Sequence, residues 1–202
     1  MRWLALLLCL MMPGALYATP YPALHNVTGV EAGDVLNIRS APDASAQIIA
    51  ELQPNDVDIE VIALDDTGKW GWVNIGESAG WVSMRFLDPV QAPDIRTMPR
   101  PLICTGTEPF WSLDLPKDPV AELDVMGTDS RLFTDLTTIQ SANNLNHFAV
   151  QASSDDAQLN ATIQRQTCSD DMSDRAYGLG ITLLIRSEGE VGFFSGCCSL
   201  AR

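Results

Sequence analysis

The 202-residue chain reads as an all-β protein: a small barrel over roughly residues 24–88, then a second, mostly antiparallel β domain over 102–202, stapled by disulfides. Three observations predict this. Val57, Ile59 and Val61 alternate with Asp58 and Glu60, the period-two pattern of a strand with one face in a core. Turn signals rich in Gly and Asp recur between short apolar runs, and no convincing helical repeat interrupts them. The four cysteines beyond residue 18 (Cys104, Cys168, Cys197 and Cys198) all lie in the second half, which therefore carries its own staples.

Residues 1–18 read as a secretory signal peptide. Arg2 gives the positive start, Leu4 to Met12 the apolar run, and Pro13-Gly14 the break before a cleavage site at Ala15 to Ala18. The apolar run is well short of the roughly 20 residues that span a bilayer. Cys9 lies inside that run and is removed with it. No later segment is long and apolar enough to span, so the mature chain is expected to be periplasmic or secreted.

Cleavage leaves 11 basic and 26 acidic residues, a net charge of −15. Residues 19–90 carry −8 of it and residues 91–202 carry −7. Such a chain repels phosphate backbones and has no basic stripe with interleaved aromatics, which excludes nucleic acid as an expected partner. The acidity serves solubility, and it also suits a cationic ligand such as a free amine on a peptide.

The first module justifies its strands in order. Leu36 and Ile38 point to a core, while Asn37 and Arg39 point the other way along the same strand. Asp66-Thr67-Gly68-Lys69 makes a turn into the strand from Lys69 to Ile75. There Gly71, Val73 and Ile75 share one face, and Trp70, Trp72 and Asn74 the other. Gly76-Glu77-Ser78 turns the chain again before Gly80-Trp81-Val82. About 65 residues bury only a modest core, so a compact barrel is expected.

The order Leu36-Asn37-Ile38-Arg39-Ser40-Ala41-Pro42, Trp70-Gly71-Trp72-Val73, Gly80-Trp81-Val82 and Leu87 resembles bacterial Src-homology-3-like (SH3b) domains. The resemblance implies an SH3-like barrel that acts as a binding module outside the cytoplasm, with cell-wall peptide or an envelope protein as its partner. It also implies that Asn37 and Arg39 brace loops through backbone hydrogen bonds. Trp70 and Trp81 match apolar positions of that pattern, so they are expected as core or groove floor. Trp72 falls where the pattern varies and is expected as an exposed contact. Trp70, Trp72, Asn37 and Arg39 are the candidate binding residues, since tryptophan offers a large apolar face and one donor.

Asp88, Pro89, Pro93, Pro99 and Pro101 mark a proline-rich linker over 89–101, expected to be an extended, stiff spacer between modules that share no core. Beyond it, Phe110 to Leu115, Val120 to Met126, Ser130 to Ile139, His147 to Ala152, Leu159 to Gln166, Ala176 to Arg186 and Val191 to Cys198 are strand candidates. Ser187 to Glu190 is a hairpin turn. The whole is expected to form a sheet or small barrel, with allowance for one short helix. A bond between the neighbours Cys197 and Cys198 would strain the peptide joining them. Cys104 and Cys168 are therefore each expected to pair with one of these two.

The second module also resembles an uncharacterised domain of exported bacterial proteins. The resemblance rests on Gly106-Thr107-Glu108-Pro109-Phe110-Trp111, Cys168-Ser169-Asp170-Asp171-Met172-Ser173-Asp174-Arg175-Ala176-Tyr177 and Gly196-Cys197-Cys198. More distantly it is similar to the META-type domain of heat-shock lipoproteins. Gly178 stands where that pattern has proline. No activity is implied.

Catalytic and cofactor motifs are absent from the sequence. Ser195-Gly196 makes no nucleophile elbow, and neither a zinc-protease helix motif nor a phosphate-binding glycine loop occurs. No Cys-x-x-Cys or clustered His suggests a metal. Asp170, Asp171 and Asp174 lack the glycine and closing glutamate of an EF-hand loop and read as a hydrogen-bonded turn, with Arg175 expected to pair with one of them. Glu108 is the best candidate for an unusual carboxylate, with the bland role of accepting backbone hydrogen bonds at its turn. A non-catalytic binding protein is the leading expectation, an envelope-acting enzyme or an inhibitor working by protein contact the alternatives.

Overall fold

A computed structural model describes residues 21–201 except Pro93; the expected signal peptide lies outside them. The first seven strands are β1 (Ala23–Val27), β2 (Leu36–Arg39), β3 (Ile48–Leu52), β4 (Ile59–Leu64), β5 (Trp70–Ile75), β6 (Ser78–Ser83) and β7 (Leu87–Pro89). They form one antiparallel sheet in the order β3-β2-β6-β5-β4-β1-β7. Val27 and Leu87 at one end of the sheet share a core with Leu36 and Ile38 near the other, so the sheet is curled around its own apolar face. Val61, Val73 and Val82 complete that core at no more than 1% exposure. Asp65 shapes the turn into β5 by accepting hydrogen bonds from the Thr67 hydroxyl and the Trp70 amide.

One detail departs from the alternation. Val57 is 55% exposed and precedes β4, whereas Ile62 is buried. The register of β4 against β5 slips between Val61 and Ala63. A bulge puts two neighbouring residues out of strict alternation, which lets both Val61 and Ile62 leave water.

The remaining strands are β8 (Leu102–Gly106), β9 (Trp111–Leu115), β10 (Ala121–Val125), β11 (Arg131–Gln140), β12 (His147–Ser153), β13 (Ala157–Cys168), β14 (Tyr177–Ser187) and β15 (Glu190–Leu200). Each pairs antiparallel with the next, and β15 returns to pair with β8, so the second module is a closed eight-stranded meander. β8 is the strand missing from the sequence reading. The allowance for a helix goes unused: the single short 3₁₀ turn at Met84–Phe86 is the only helix among the described residues. Inward-facing residues of the strands fill the barrel, including Leu113, Phe133, Val150, Leu159, Ile163, Leu179 and Leu183; in β11 a bulge puts the buried Phe133 and Leu136 three apart. In Ile181 to Ile185, the odd positions face inward, as a core strand requires.

The two half-cystines at the end of β15 serve opposite faces. Cys198 points inward and bonds Cys104 of β8; Cys197 points outward and bonds Cys168 at the end of β13. Trp111 packs beside them against Phe194, ring centroids 6.0 Å apart. A side chain at Gly106 or Gly196 would overlap the Trp111 indole, and at Gly196 it would also strike the Thr105 carbonyl. The two glycine-bearing motifs are thus one packing device that lets a tryptophan lie over the seam between β8 and β15.

Residues 90–101 do not act as a spacer. Met98 is 4% exposed and belongs to the second core. Arg165, 7% exposed, sends its guanidinium to the carbonyls of Asp94, Ile95, Thr97 and Leu145 and stacks over Phe148 at 4.8 Å. Arg100 reaches the carbonyls of Pro116 and Asp118. Proline withholds amide donors, which leaves the segment's carbonyls to be satisfied by arginine forks. The strap is tied down across one end of the barrel.

The modules touch directly as well. Asn74 donates to the Ala176 carbonyl at 2.8 Å and accepts from the Ala176 amide at 2.9 Å. Arg175 donates to the Gly76 carbonyl at 2.8 Å. A Cβ on Gly178 would sit 2.9 Å from Pro22 and 3.1 Å from the Ile62 carbonyl, so the residue that replaces the expected proline is a site of close approach. Ile62 is 3% exposed yet belongs to neither core; it is covered at this contact.

The staples differ in the chain they close. Cys104–Cys198 spans 94 residues and Cys168–Cys197 spans 29. By loop-closure entropy, replacing the first pair with alanines costs about 1 kcal/mol more than replacing the second, within losses of roughly 3–5 kcal/mol each. Denaturant unfolding of the two double variants, followed by circular dichroism, measures the difference.

Candidate functional site

The outer face of the first sheet collects the tryptophans. Trp72 of β5 lies directly opposite Trp81 of β6, and their rings stack with centroids 6.0 Å apart and 14° between planes. Trp70 and Asn74 flank Trp72 on the same face, opposite Ser83 and Ala79. All three tryptophans are half-buried. Trp70 and Trp81 therefore belong to the floor of a surface shelf, outside the apolar core, and Trp72 shares that shelf without standing clear of it. The pairing is a cross-strand aromatic contact, which stiffens the shelf as well as offering two flat faces to a ligand.

Arg39 lies opposite Trp81 across β2 and β6, so it extends the same row. Its guanidinium is committed to the Ala46 carbonyl at 2.7 Å, where it braces the loop between β2 and β3. Asn37 is half-buried two residues away on the same outward face, opposite Glu51. The structure thus brings Trp70, Trp72, Trp81 and Arg39 onto one surface, with Asn37 at its margin.

Following the shelf along β5 leads to the second module. Beyond Asn74, the tip of the β5–β6 hairpin faces the loop between β13 and β14. Glu77, Ser78, Asp171, Met172, Ser173 and Asp174 line a shallow groove of about 620 Å³ there. Three of these six carry negative charge, and Met172 is 66% exposed. The shelf and the groove together offer flat apolar contact next to an anionic rim.

The loop is shaped by Asp170. Partial burial opposes its ionisation. Hydrogen bonds from the Ser173 and Met172 amides and the Ser173 and Tyr177 hydroxyls prevail and hold its carboxyl down at about 2. Asp170 is a turn-forming residue, as the sequence indicates. Arg175 corrects the expectation of an ion pair with this cluster: it reaches instead to the Gly76 carbonyl, and its guanidinium lies 5.7 Å from the centre of the Tyr177 ring. Among the described residues, no three His, Cys, Asp or Glu side chains gather as metal ligands would.

Glu108 is exposed on the turn between β8 and β9, with a left-handed φ of 55°. It stands outside the groove at Asp171 to Asp174, and its carboxylate makes no hydrogen bond with the described residues. The expectation that it accepts backbone donors is therefore corrected.

A second cleft, about 620 Å³, lies between the strap and the first module, with Leu24, Asp58, Val90, Arg100 and Leu200 among its walls. Near it, Glu60 accepts a hydrogen bond from the Leu200 amide across the module contact at 3.0 Å. Loss of solvent pushes the Glu60 carboxyl up to about 7, against the Leu200 hydrogen bond and the charge of Arg175. Sequence reasoning missed Glu60, Asn74 and Gly178, because each acts only where the two modules meet. No protein-family model, curated protein or solved structure matches the chain.

Glu60 generates a pH dependence of definite sign. Its carboxyl titrates near 4.5 when freely solvated and near 7 in the folded chain. The folded state therefore holds a proton that the unfolded state releases, and stability falls as pH rises from about 4.5 to about 7, by about 3 kcal/mol. Thermal melts across that range should show the loss in the native chain. The Glu60→Gln variant, neutral throughout, should lack that component.

Proposed function

We propose that this chain is an exported, non-catalytic binding protein, periplasmic or secreted, whose SH3b-type first module engages peptide of the cell envelope. The observation that carries the reading is the stacked Trp72–Trp81 shelf running into an acidic groove. An extended peptide laid on the shelf places apolar and backbone surface on two indoles, and presents a free amine to Glu77, Asp171 and Asp174. Half-buried aromatic anchors of this kind supply most of the energy of small interfaces. The chain's net charge adds attraction to amines and a dependence on salt. Two disulfides suit an oxidising compartment. The seated position of the second module gives the shelf a fixed wall.

Sedimentation with purified peptidoglycan sacculi tests this. The mature chain should pellet with sacculi at low salt and less so at high salt. The Trp72→Ala/Trp81→Ala variant should lose about 2 kcal/mol or more of binding, roughly thirtyfold in affinity. If the native chain stays in the supernatant at every salt concentration, or the double variant pellets equally well, the proposal fails. Recovery of one envelope protein on the same shelf, with no sacculus binding, would replace it by a protein-contact function.

A further inference from the structure

The outer face of the second barrel carries a different surface. A cleft of about 440 Å³ crosses β13, β14, β15 and β8, within the size range of sites that take small ligands. Strand register builds its floor. Thr162 lies opposite Thr182, and Thr182 opposite Ser195, which gives a row of three hydroxyls across neighbouring strands. Gln164 lies opposite Gly180, the glycine that keeps the adjacent row low, and Gln166 folds its amide over that glycine. The loop at Ser169 to Asp171, pinned by Cys168–Cys197, forms one wall. Toward the other side, Phe193 points outward from β15, two residues before Ser195 and on the same face, 69% exposed.

Five polar side chains on the floor of this cleft are uncommitted, while Ser169 and Asp170 at its wall are engaged in their own turn. Thr162, Gln164, Gln166, Thr182 and Ser195 make no side-chain hydrogen bond with the described residues. Others, such as Thr67, Ser173, Thr128 and Gln140, spend theirs on turns and carbonyls. Three hydroxyls and two amides, all able both to donate and to accept, match a ligand that does the same along its length. Asp170 and Asp171 at the wall disfavour anions, and no cation-binding carboxylate set faces the floor.

We infer that this cleft binds a neutral oligosaccharide, with sugar hydroxyls on the Thr162–Thr182–Ser195 row and a pyranose face against Phe193. The site is separate from the tryptophan shelf and stands whether or not that shelf takes peptide. Its ligand class is set by the pairing of free donor–acceptor groups with an exposed ring. An apolar ligand would leave those groups unsatisfied, and a charged one would gain nothing from them.

The test is titration of the isotopically labelled full chain with chitotetraose and, separately, maltotetraose, observed by NMR. At least one should shift the side-chain amides of Gln164 and Gln166 and the backbone amides of Thr182 and Ser195, leaving the Trp72 and Trp81 indole signals in place. Gln164→Leu removes a donor–acceptor pair and should weaken binding about tenfold, the scale of one lost polar contact. Thr182→Phe fills the floor from the solvent side and should abolish binding while the spectrum of the core is retained. The inference is overturned if neither sugar shifts these signals at millimolar concentration. Shifts confined to the tryptophans, or native affinity in both variants, overturn it equally.

Discussion

Closure of the second barrel at β8 and β15 is the constraint on which the rest of the molecule depends. Seven of its eight strand pairs join neighbours in sequence, so each needs only a local turn. The eighth pair brings Leu102 to Thr105 against the last strand, and its loop entropy has to be offset by something other than proximity. Three features converge there. Cys104 and Cys198 are opposite each other in the register and covalently joined. Gly106 and Gly196 leave the space that Trp111 fills. Leu102, opposite Leu200, is 1% exposed. An open meander would expose two strand edges, whereas the closed one exposes none.

The seam also positions what lies outside it. Cys197, adjacent to Cys198, points to the other face and ties the loop that follows β13. That loop carries Asp170 and leads straight to Arg175, Ala176 and Gly178, the residues that meet the first module. The contact is built largely from backbone groups, with one asparagine, one arginine and one glutamate of raised pKa as side-chain partners. A polar contact of this kind contributes less than an apolar core but fixes orientation well, because each hydrogen bond tolerates little rotation. The arginine-tied strap lies beside this contact: Arg165 is opposite Leu179 of β14, next to Gly178.

The strands were legible wherever one face is buried and the other wet. Leu113 between Ser112 and Asp114, and Leu123 between Glu122 and Asp124, show the period directly. β8 was not legible, since its Ile103 and Thr105 face outward in a five-residue segment that follows a run of prolines. Its strand character comes from pairing with β9 on one side and, on the other, with β15 about a hundred residues away. The bulge at Ile62 and the buried Gly178 escaped for the same reason: both answer to the neighbouring module, which no local pattern encodes. Within the candidate site, the common face of Trp70 and Trp72 followed from alternation, but the stacking partner Trp81 depended on the register of a hairpin. The assignment of Arg175 to the acidic cluster failed because proximity in sequence says nothing of a carbonyl on another module.

A distinctive motif and a functional site are different things in this chain. Asp170 spends its oxygens on its own turn, Arg39 on a loop carbonyl, Arg165 on the strap, and Trp111 on two glycines. Groups satisfied in this way have little left to offer a ligand, and disturbing them costs the fold first. Capacity for recognition resides in groups whose interactions remain open: indole faces on the first sheet, and hydroxyls and amides on the outer barrel wall. Those residues are ordinary in sequence, threonines and glutamines in alternating positions of a strand such as Asn160 to Gln166. They become conspicuous only when neighbouring strands set them side by side with nothing of the protein's own to bind.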